Sequence, residues 1–317
     1  MFFEYISDIG YNDFRIQIMS VQDILFHCKE VGFWQNMKGV RRASLDQRSR
    51  IVESILLGIP QPPVYVDDTD MQWTVVYGYE RIDALYSFCI SGMALSSLYF
   101  KMDQYEGRTF SSLSPLERNK ILNTKITVNV INPGLSRQER FGVYLCLRNS
   151  TDTSVLRWCR KKIYPYEYTF IERLAGELVK HRNLSIYFPR IENYICHLLV
   201  GINYDKFMKS DKKHNLDAAV NAIIESYDFE DFIKDKAEDI LRAFDDLDFR
   251  QLRSVASNMM IDSLFLAVRY HMRNLDMRFE IPYEKFYDIC RSIPQLRDMD
   301  DSAESFCSSI GLLLQKV

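Results

Sequence analysis

The segment 48–66 restricts the fold of this chain more than any other part of the sequence. Residues 48–57 carry apolar side chains at helical spacing, and Gly58 then ends the helix. Prolines at positions 60, 62 and 63 prevent the helix from restarting, because proline lacks a backbone N–H and clashes with the preceding turn. Residues 64–66 are β-branched or aromatic, which is typical of a strand. The segment therefore predicts a helix that turns sharply into a strand.

The rest of the first half also alternates between helix and strand patterns, whereas the second half carries helix patterns alone. Strands are predicted at 73–77, where a hairpin with 64–66 is expected, and at 126–131. Helices are predicted at 21–30, 45–57, 80–90, 135–147, 171–181, 191–200, 216–227, 232–244, 252–273 and 283–293. We therefore expect an α+β protein, with a small mixed sheet and helices in residues 1–155 and an all-α domain in residues 156–317.

Composition excludes several classes of protein. Of the 317 residues, 47% are hydrophobic and 26% are charged, which excludes a disordered or collagen-like chain. The net charge of −3 excludes a globally basic nucleic-acid-binding protein, so any such contact must come from a local patch. We expect a cytoplasmic location without membrane contact, because the sequence has neither a secretory signal pattern nor a membrane-length apolar run. The seven cysteines form no CxxC pair, and we therefore assign no metal site.

Three charge runs are candidate interaction surfaces, although each is also compatible with a solvated helix face. Residues 38–50 hold five basic residues and one acidic residue, and residues 157–162 hold four basic residues and none acidic. These runs suggest phosphate contacts to nucleic acid through Arg48, Arg50, Arg157, Arg160, Lys161 and Lys162. The stretch 225–248 holds ten acidic and three basic residues, which would suit a basic partner or mimicry of nucleic acid.

The common catalytic motifs are absent from the sequence. It has no GxxxxGK[ST] phosphate loop, no GxGxxG dinucleotide fingerprint, no GxSxG nucleophile elbow and no HExxH metal helix. A phosphate site in this chain would therefore need an arrangement other than these motifs.

Two motifs in the first half together resemble the ParB/sulfiredoxin-like superfamily. The first is the helix, glycine and proline series Ile-Val-Glu-Ser-Ile-Leu-Leu-Gly-Ile-Pro-Gln-Pro at 51–62, and the second is Tyr-Gly-Tyr-Glu-Arg at 77–81, followed by a helix. Within the superfamily the chain resembles the N-terminal domain of GmrSD-type modification-dependent restriction proteins, over roughly residues 15 to 165. The resemblance implies a ParB-like fold, with nucleotide binding or hydrolysis and control of DNA cleavage in phage defence.

The second motif departs from the family pattern at the positions where chemistry would occur. The family reads Asp-Gly-Gln-Gln-Arg, whereas this chain has Tyr77 in place of the aspartate and Glu80 in place of the second glutamine. Gly78 and Arg81 are retained. A phenol does not replace a carboxylate as a ligand of a hard cation or as a base near neutral pH. The resemblance therefore implies a catalytically degenerate relative.

The retained residues define a candidate phosphate site. Glycine lets backbone approach a phosphate, a helix N-terminus offers free N–H groups, and arginine binds phosphate oxygens with two parallel hydrogen bonds. The candidate phosphate- or nucleotide-binding residues are Gly78, Arg81, Arg41, Arg42 and Asn149. If hydrolysis survives, the candidate catalytic residues are Glu53, Glu80 and Arg81, and the cofactor would be a nucleoside triphosphate with Mg²⁺.

Three functions stay open at this point. The first is a degenerate ParB/GmrSD-like protein that binds DNA, a nucleotide or a protein partner in a bacterial or phage defence or anti-defence context. The second is an active nucleotide hydrolase or DNA nuclease with a rearranged site. The third is a structural interaction module that acts through a protein partner or as a homo-oligomer.

Overall fold

The described residues of the protein, seen in a computed structural model, fall into two units. They are 14–30, 43–69, 73–100, 102–148, 153–182, 188–208, 215–245, 259–275, 277, 279–297, 299 and 302–316. One unit lies within residues 6–150 and the other within residues 151–317. The α+β class is confirmed, because a four-stranded mixed sheet occurs together with many helices.

The first unit holds four strands and six helices among its described residues. In chain order they are β1 (Phe14–Ser20), α1 (Val21–Glu30), α2 (Leu45–Leu56), β2 (Val64–Asp67), β3 (Thr74–Tyr77), α3 (Tyr79–Cys89), α4 (Met102–Tyr105), α5 (Pro115–Asn123), β4 (Lys125–Ile131) and α6 (Arg137–Arg148). A capping box between Ser44 and Gln47 starts α2, and Gly58, with φ of +80°, follows its end. The predicted helix–glycine–proline–strand segment is confirmed.

The sheet has the strand order β1-β4-β2-β3. The predicted hairpin is confirmed, because β2 and β3 pair antiparallel. Strand β2 also pairs in parallel with β4, and β4 pairs antiparallel with β1 along the full length of both strands. Sequence reasoning missed β1, although Ile16 and Ile18 alternate there with polar residues.

The two faces of this sheet differ in their surroundings. Val64 and Val66 lie beside Val128 and Val130 on one face, and all four side chains are buried. The opposite face carries a row across all four strands, in which Ile16, Asn129, Tyr65 and Tyr77 are successive neighbours. The rings of Tyr65 and Tyr77 meet edge to face, with centroids 6.1 Å apart. This row ends beside the glycine turn of the candidate phosphate site.

The described part of the second unit is helical, apart from one isolated bridge between Asn215 and Ser302. Its helices are α7 (Thr153–Ile163), α8 (Pro165–Arg182), α9 (Phe188–Ile202), α10 (Tyr204–Met208), α11 (Leu216–Ile224), α12 (Phe229–Ala243), α13 (Met259–Asn274), α14 (Tyr283–Ser292), α15 (Pro294–Arg297) and α16 (Ala303–Leu314).

Helix α9 is the centre of this unit. It packs against α7, α8, α11, α13 and α16, and residues 191–200 are all buried. A side chain at Gly201 would place its Cβ 2.8 Å from the Cβ of Ala267, so glycine allows α9 and α13 to approach closely. His197 on α9 lies 2.9 Å from the hydroxyl of Ser263 on α13, and burial lowers the pKa of His197 to about 4. This histidine is a structural residue of the core.

Candidate functional site

The turn between β3 and α3 is built around Gly78. This residue has a φ of +88° and is the N-cap of α3, a left-handed backbone conformation that favours glycine. A Cβ at this position would lie 3.0 Å from Arg81 Nη2 and 3.1 Å from Val64 Cγ2. The glycine is therefore required by the chain's own packing, since Arg81 occupies the space beside it.

Arg81 lies in the first turn of α3, and its residue is only 7% exposed. Its Nη2 donates to the carbonyl of Pro63 at 3.0 Å, and its Nη1 approaches a carboxylate oxygen of Glu80 at 3.4 Å. The guanidinium carbon is 5.3 Å from the centre of the Tyr77 ring. The Nε atom is buried and has no hydrogen-bond partner. Arg81 thus fastens α3 to the segment before β2 and keeps one unsatisfied donor.

The two candidate carboxylates have different surroundings. Glu53, on α2, is buried and accepts backbone hydrogen bonds from Tyr99 at 2.9 Å and from Phe100 at 2.7 Å, one on each carboxylate oxygen. Glu80 is half-exposed and forms its ion pair with Arg81. The structure therefore brings together Gly78, Glu80 and Arg81, whereas Glu53 orders a loop. This placement does not fit the predicted role of Glu53 as a free catalytic acid.

The loop held by Glu53 displays two aromatic side chains. Glu106 accepts from the backbone N–H groups of Ser97 and Leu98, next to the two amides that Glu53 binds. The loop is thereby fixed by four carboxylate contacts, and its Tyr99 and Phe100 side chains are 66% and 75% exposed. No role was predicted for Tyr99 and Phe100 from the sequence.

Sequence reasoning also missed a buried carboxylate centre at the end of β2. Asp67 Oδ1 accepts from the backbone N–H of Thr69 at 2.9 Å and from its hydroxyl at 2.6 Å. Asp67 Oδ2 accepts from Arg140 Nε at 2.9 Å, from Arg140 Nη2 at 2.8 Å and from the Tyr144 hydroxyl at 2.7 Å. Arg140 and Tyr144 are one turn apart on α6. The spacing of four residues between Arg140 and Tyr144 could have indicated that they share one face of a helix, but only the fold brings them to Asp67.

The charge of this centre is stabilised by its surroundings. Burial alone would raise the pKa of Asp67, but hydrogen bonds from Thr69 and Tyr144 and the charge of Arg140 outweigh it and hold that pKa below its usual range. Burial and the neighbouring Asp67 raise the pKa of Tyr144 well above its ordinary value, so its hydroxyl stays a donor. All these donors converge on Asp67, and the centre is a structural junction between β2 and α6.

The basic residues predicted on α2 contact the protein itself. Arg48 Nη1 donates to the Ser87 hydroxyl at 3.0 Å, and its Nε lies 3.7 Å from Asp83. Arg50 stacks on the Tyr99 ring, with its guanidinium carbon 4.1 Å from the ring centre. These contacts attach α2 to α3 and to the aromatic loop, which accounts for both arginines without a nucleic-acid partner.

The basic run of α7 is also engaged within its own unit. Arg160 is 1% exposed, donates to Asn193 at 2.9 Å and forms an ion pair with Asp217, which corrects its prediction as a surface phosphate contact. Arg157 pairs with Glu172 and Glu192, and Lys161 pairs with Glu172. Lys162 is partly buried.

Three candidate residues of the predicted phosphate site lie outside the described residues. Arg41, Arg42 and Asn149 are outside the described ranges. The described ranges contain no group of three histidine, cysteine or acidic residues arranged to hold a metal ion. Among the helices described, none combines the length and apolarity needed to cross a bilayer. The described part of the acidic stretch, which includes α12, carries exposed ion pairs such as Lys234 with Glu230.

Comparison with known proteins identified no relative of this chain. Neither the protein-family models nor the curated proteins nor the solved structures gave a match.

Proposed function

We propose that this chain acts by binding and not by hydrolysis. In this proposal its first part is a ParB/sulfiredoxin-like domain, similar to the N-terminal domain of GmrSD-type restriction proteins, and an all-α domain follows it. The order α2, Gly58, prolines and β2, followed by β3, Gly78 and α3, supports the resemblance. A bacterial or phage defence or anti-defence context follows from that resemblance.

One observation carries the preference for binding over hydrolysis. Both carboxylate oxygens of Glu53 accept hydrogen bonds from loop amides, while Tyr77 stands where the related motif has its aspartate. General-base or metal-assisted hydrolysis usually employs a carboxylate beside the phosphate. Glu80 is the acidic side chain that contacts Arg81, and it is half-exposed. Among the residues that the structure describes, the motif thus keeps its glycine and arginine without a second acid in contact with Arg81.

The proposed ligand is a phosphate group of a nucleotide or of DNA. The N-terminus of α3 has the polarity that attracts anions, and Arg81 in its first turn carries a buried Nε donor without a hydrogen-bond partner. Glu80 opposes such a ligand by charge repulsion, so binding requires this half-exposed side chain to turn away. A phosphate that satisfied Nε would remove the cost of a buried donor without a partner.

Thermal denaturation with separate ligands tests this proposal. We expect ATP, GTP, CTP, UTP or a short DNA duplex, each with Mg²⁺, to raise the melting temperature, since a ligand at 100 times its Kd adds about 2.7 kcal/mol. Arg81→Met should abolish the shift, whereas Arg118→Met, in the same unit, should retain it. Absence of a shift with every ligand would reject the phosphate-binding proposal.

Two alternatives give different results in the same experiment. If a nucleotide raises the melting temperature and phosphate is released at a rate that Glu80→Gln reduces, the chain is a hydrolase with a rearranged site. If no ligand has an effect, an interaction module becomes the better interpretation. That alternative is favoured by the exposed Tyr99 and Phe100 on a loop that Glu53 and Glu106 hold rigid, because rigid aromatic side chains are common anchors of protein interfaces.

A further inference from the structure

The two edges of the four-stranded sheet are protected to different degrees. The β3 edge is four residues long, its pairing with β2 is interrupted by a register shift, and β3 is in contact with α6. The β1 edge is seven residues long, and its register with β4 is regular throughout. Proteins usually protect an edge strand by shortness, bulges, prolines, lysines or a covering element, because its unpaired N–H and C=O groups attract another strand.

Within the part of the chain that the structure describes, strand β1 has none of these protective features apart from its contacts with α1, the helix that directly follows it. Its sequence, Phe-Arg-Ile-Gln-Ile-Met-Ser, contains neither proline nor lysine, and β4 is the strand that pairs with it in the described part of the sheet. Ile16 and Ile18 are 45% and 71% exposed and lie on the same face. Exposed branched apolar side chains beside an open strand edge are the combination that promotes strand pairing.

We infer that β1 pairs with β1 of a second copy of this chain, giving a two-fold symmetric dimer with a continuous eight-stranded sheet. The sequence of β1 is self-complementary about Gln17. Antiparallel pairing centred there places Ile16 of each copy opposite Ile18 of the other, so four isoleucines form one cluster on the sheet face. The same register gives both copies identical contacts, as a closed dimer requires.

Charge does not oppose this register. The single charged residue of β1 is Arg15, which is paired with Asp68 of its own chain at 2.9 Å. In the dimer each Arg15 lies opposite Met19, so the two arginines are about 13 Å apart along the strand direction, four residues at roughly 3.3 Å each. A strand from an unrelated protein would meet the same open edge but would match this isoleucine pattern only by coincidence, which favours a second copy.

The pairing is limited to seven residues, so we expect a reversible dimer and not a permanent one. Sedimentation equilibrium of the full chain between about 1 and 200 µM should show monomer converting to dimer as concentration rises. Ile18→Lys should raise the dimer Kd by at least about tenfold, because a charge then faces the isoleucine of the other copy. Leu116→Lys is the matched control, since Leu116 is 82% exposed in the same unit and belongs to α5 rather than to a strand.

A cross-linking experiment tests the register without depending on the stability of the lysine variant. Gln17→Cys places two cysteines opposite each other on the two-fold axis, within reach of a disulfide. In a Cys146→Ser background, which removes an exposed free cysteine, mild oxidation of Gln17→Cys should give a covalent dimer on a non-reducing gel, whereas Gln22→Cys, on α1, and the background chain should not. A chain that stays monomeric up to about 200 µM would overturn the inference. So would a dimer that Ile18→Lys leaves intact and that Gln17→Cys does not cross-link.

Discussion

Replacing Asp67 with asparagine should destabilise the first unit strongly, and its neighbour Asp68 provides the control. Asparagine keeps one oxygen for Thr69, but it loses the charge that binds Arg140 and Tyr144. The side chain of Arg140 is only 10% exposed, so its charge would stay buried without a partner. Breaking a buried ion pair in this way typically costs 3–5 kcal/mol, and we expect a loss of about 3 kcal/mol.

The same substitution one residue later should have little effect. Asp68 pairs with Arg15 at 2.9 Å, but the side chain of Arg15 is 65% exposed. Exposed ion pairs contribute about 0–1 kcal/mol, so Asp68→Asn should cost less than about 1 kcal/mol. The two variants remove the same charge from adjacent positions, and the difference between them therefore reports the contribution of the buried contacts around Asp67.

Urea denaturation combined with hydrogen exchange measured peptide by peptide gives the required readout. The unfolding free energy supplies the magnitude, and faster exchange in peptides covering β2 and α6 shows that the loss arises at the junction. A double variant, Asp67→Asn with Arg140→Met, should lose less stability than the two single variants combined, because neither charge is then left alone. Equal losses for Asp67→Asn and Asp68→Asn would refute the reasoning.

The pH dependence of stability gives an independent check on the sign of the contribution of Asp67. The pKa of Asp67 in the folded chain lies below its ordinary value of 3.8. A lowered pKa contributes stability above the unfolded value, and that contribution is lost as the pH falls through the folded value. The stability difference between the natural chain and Asp67→Asn should therefore be constant near neutral pH and narrow below about pH 4. The titration of His197 is common to both proteins and cancels from the difference.

Two further predictions concern a loop amide that Glu53 holds and a close approach of two helices at Gly201. Glu53→Gln should speed amide exchange at Tyr99, because a glutamine amide group replaces one of the two oxygens that accept from the loop; unchanged protection would contradict this role for Glu53. Gly201→Ala should cost about 1–3 kcal/mol in thermal or urea denaturation, because the added methyl would lie 2.8 Å from Ala267. Gly176→Ala, in a helix with open space beside it, should instead add about 0.5–1 kcal/mol, and similar results for both variants would disprove the packing argument.

The sequence predicted those elements whose formation depends on local chemistry. The helix that ends before Gly58 and the hairpin of β2 and β3 are confirmed because glycine, prolines and alternating β-branched residues act within a few positions of one another. Helix α3 begins one residue before its predicted start, since Gly78 in its left-handed conformation already caps it.

Features that depend on distant parts of the chain were not predictable in this way. The partners of Asp67 lie 73 and 77 residues later, and nothing local marks them. Arg160 was predicted as a surface cation from its run of basic neighbours, but it is buried because Asn193 and Asp217 come from two other helices. Composition reports the number of charges in a segment, whereas their roles depend on which side chains the fold brings to them.

The strand order has a consequence for how the chain is made. Strand β1 is synthesised first, but its partner β4 ends at Ile131, more than a hundred residues later. At a synthesis rate of about 5–20 residues per second, β1 waits roughly 5 to 20 s without its partner. The hairpin of β2 and β3 forms in microseconds once it has emerged, so it precedes closure of the sheet. During this interval Ile16 and Ile18 are exposed on a growing chain, and neighbouring ribosomes on one message would bring such strands together.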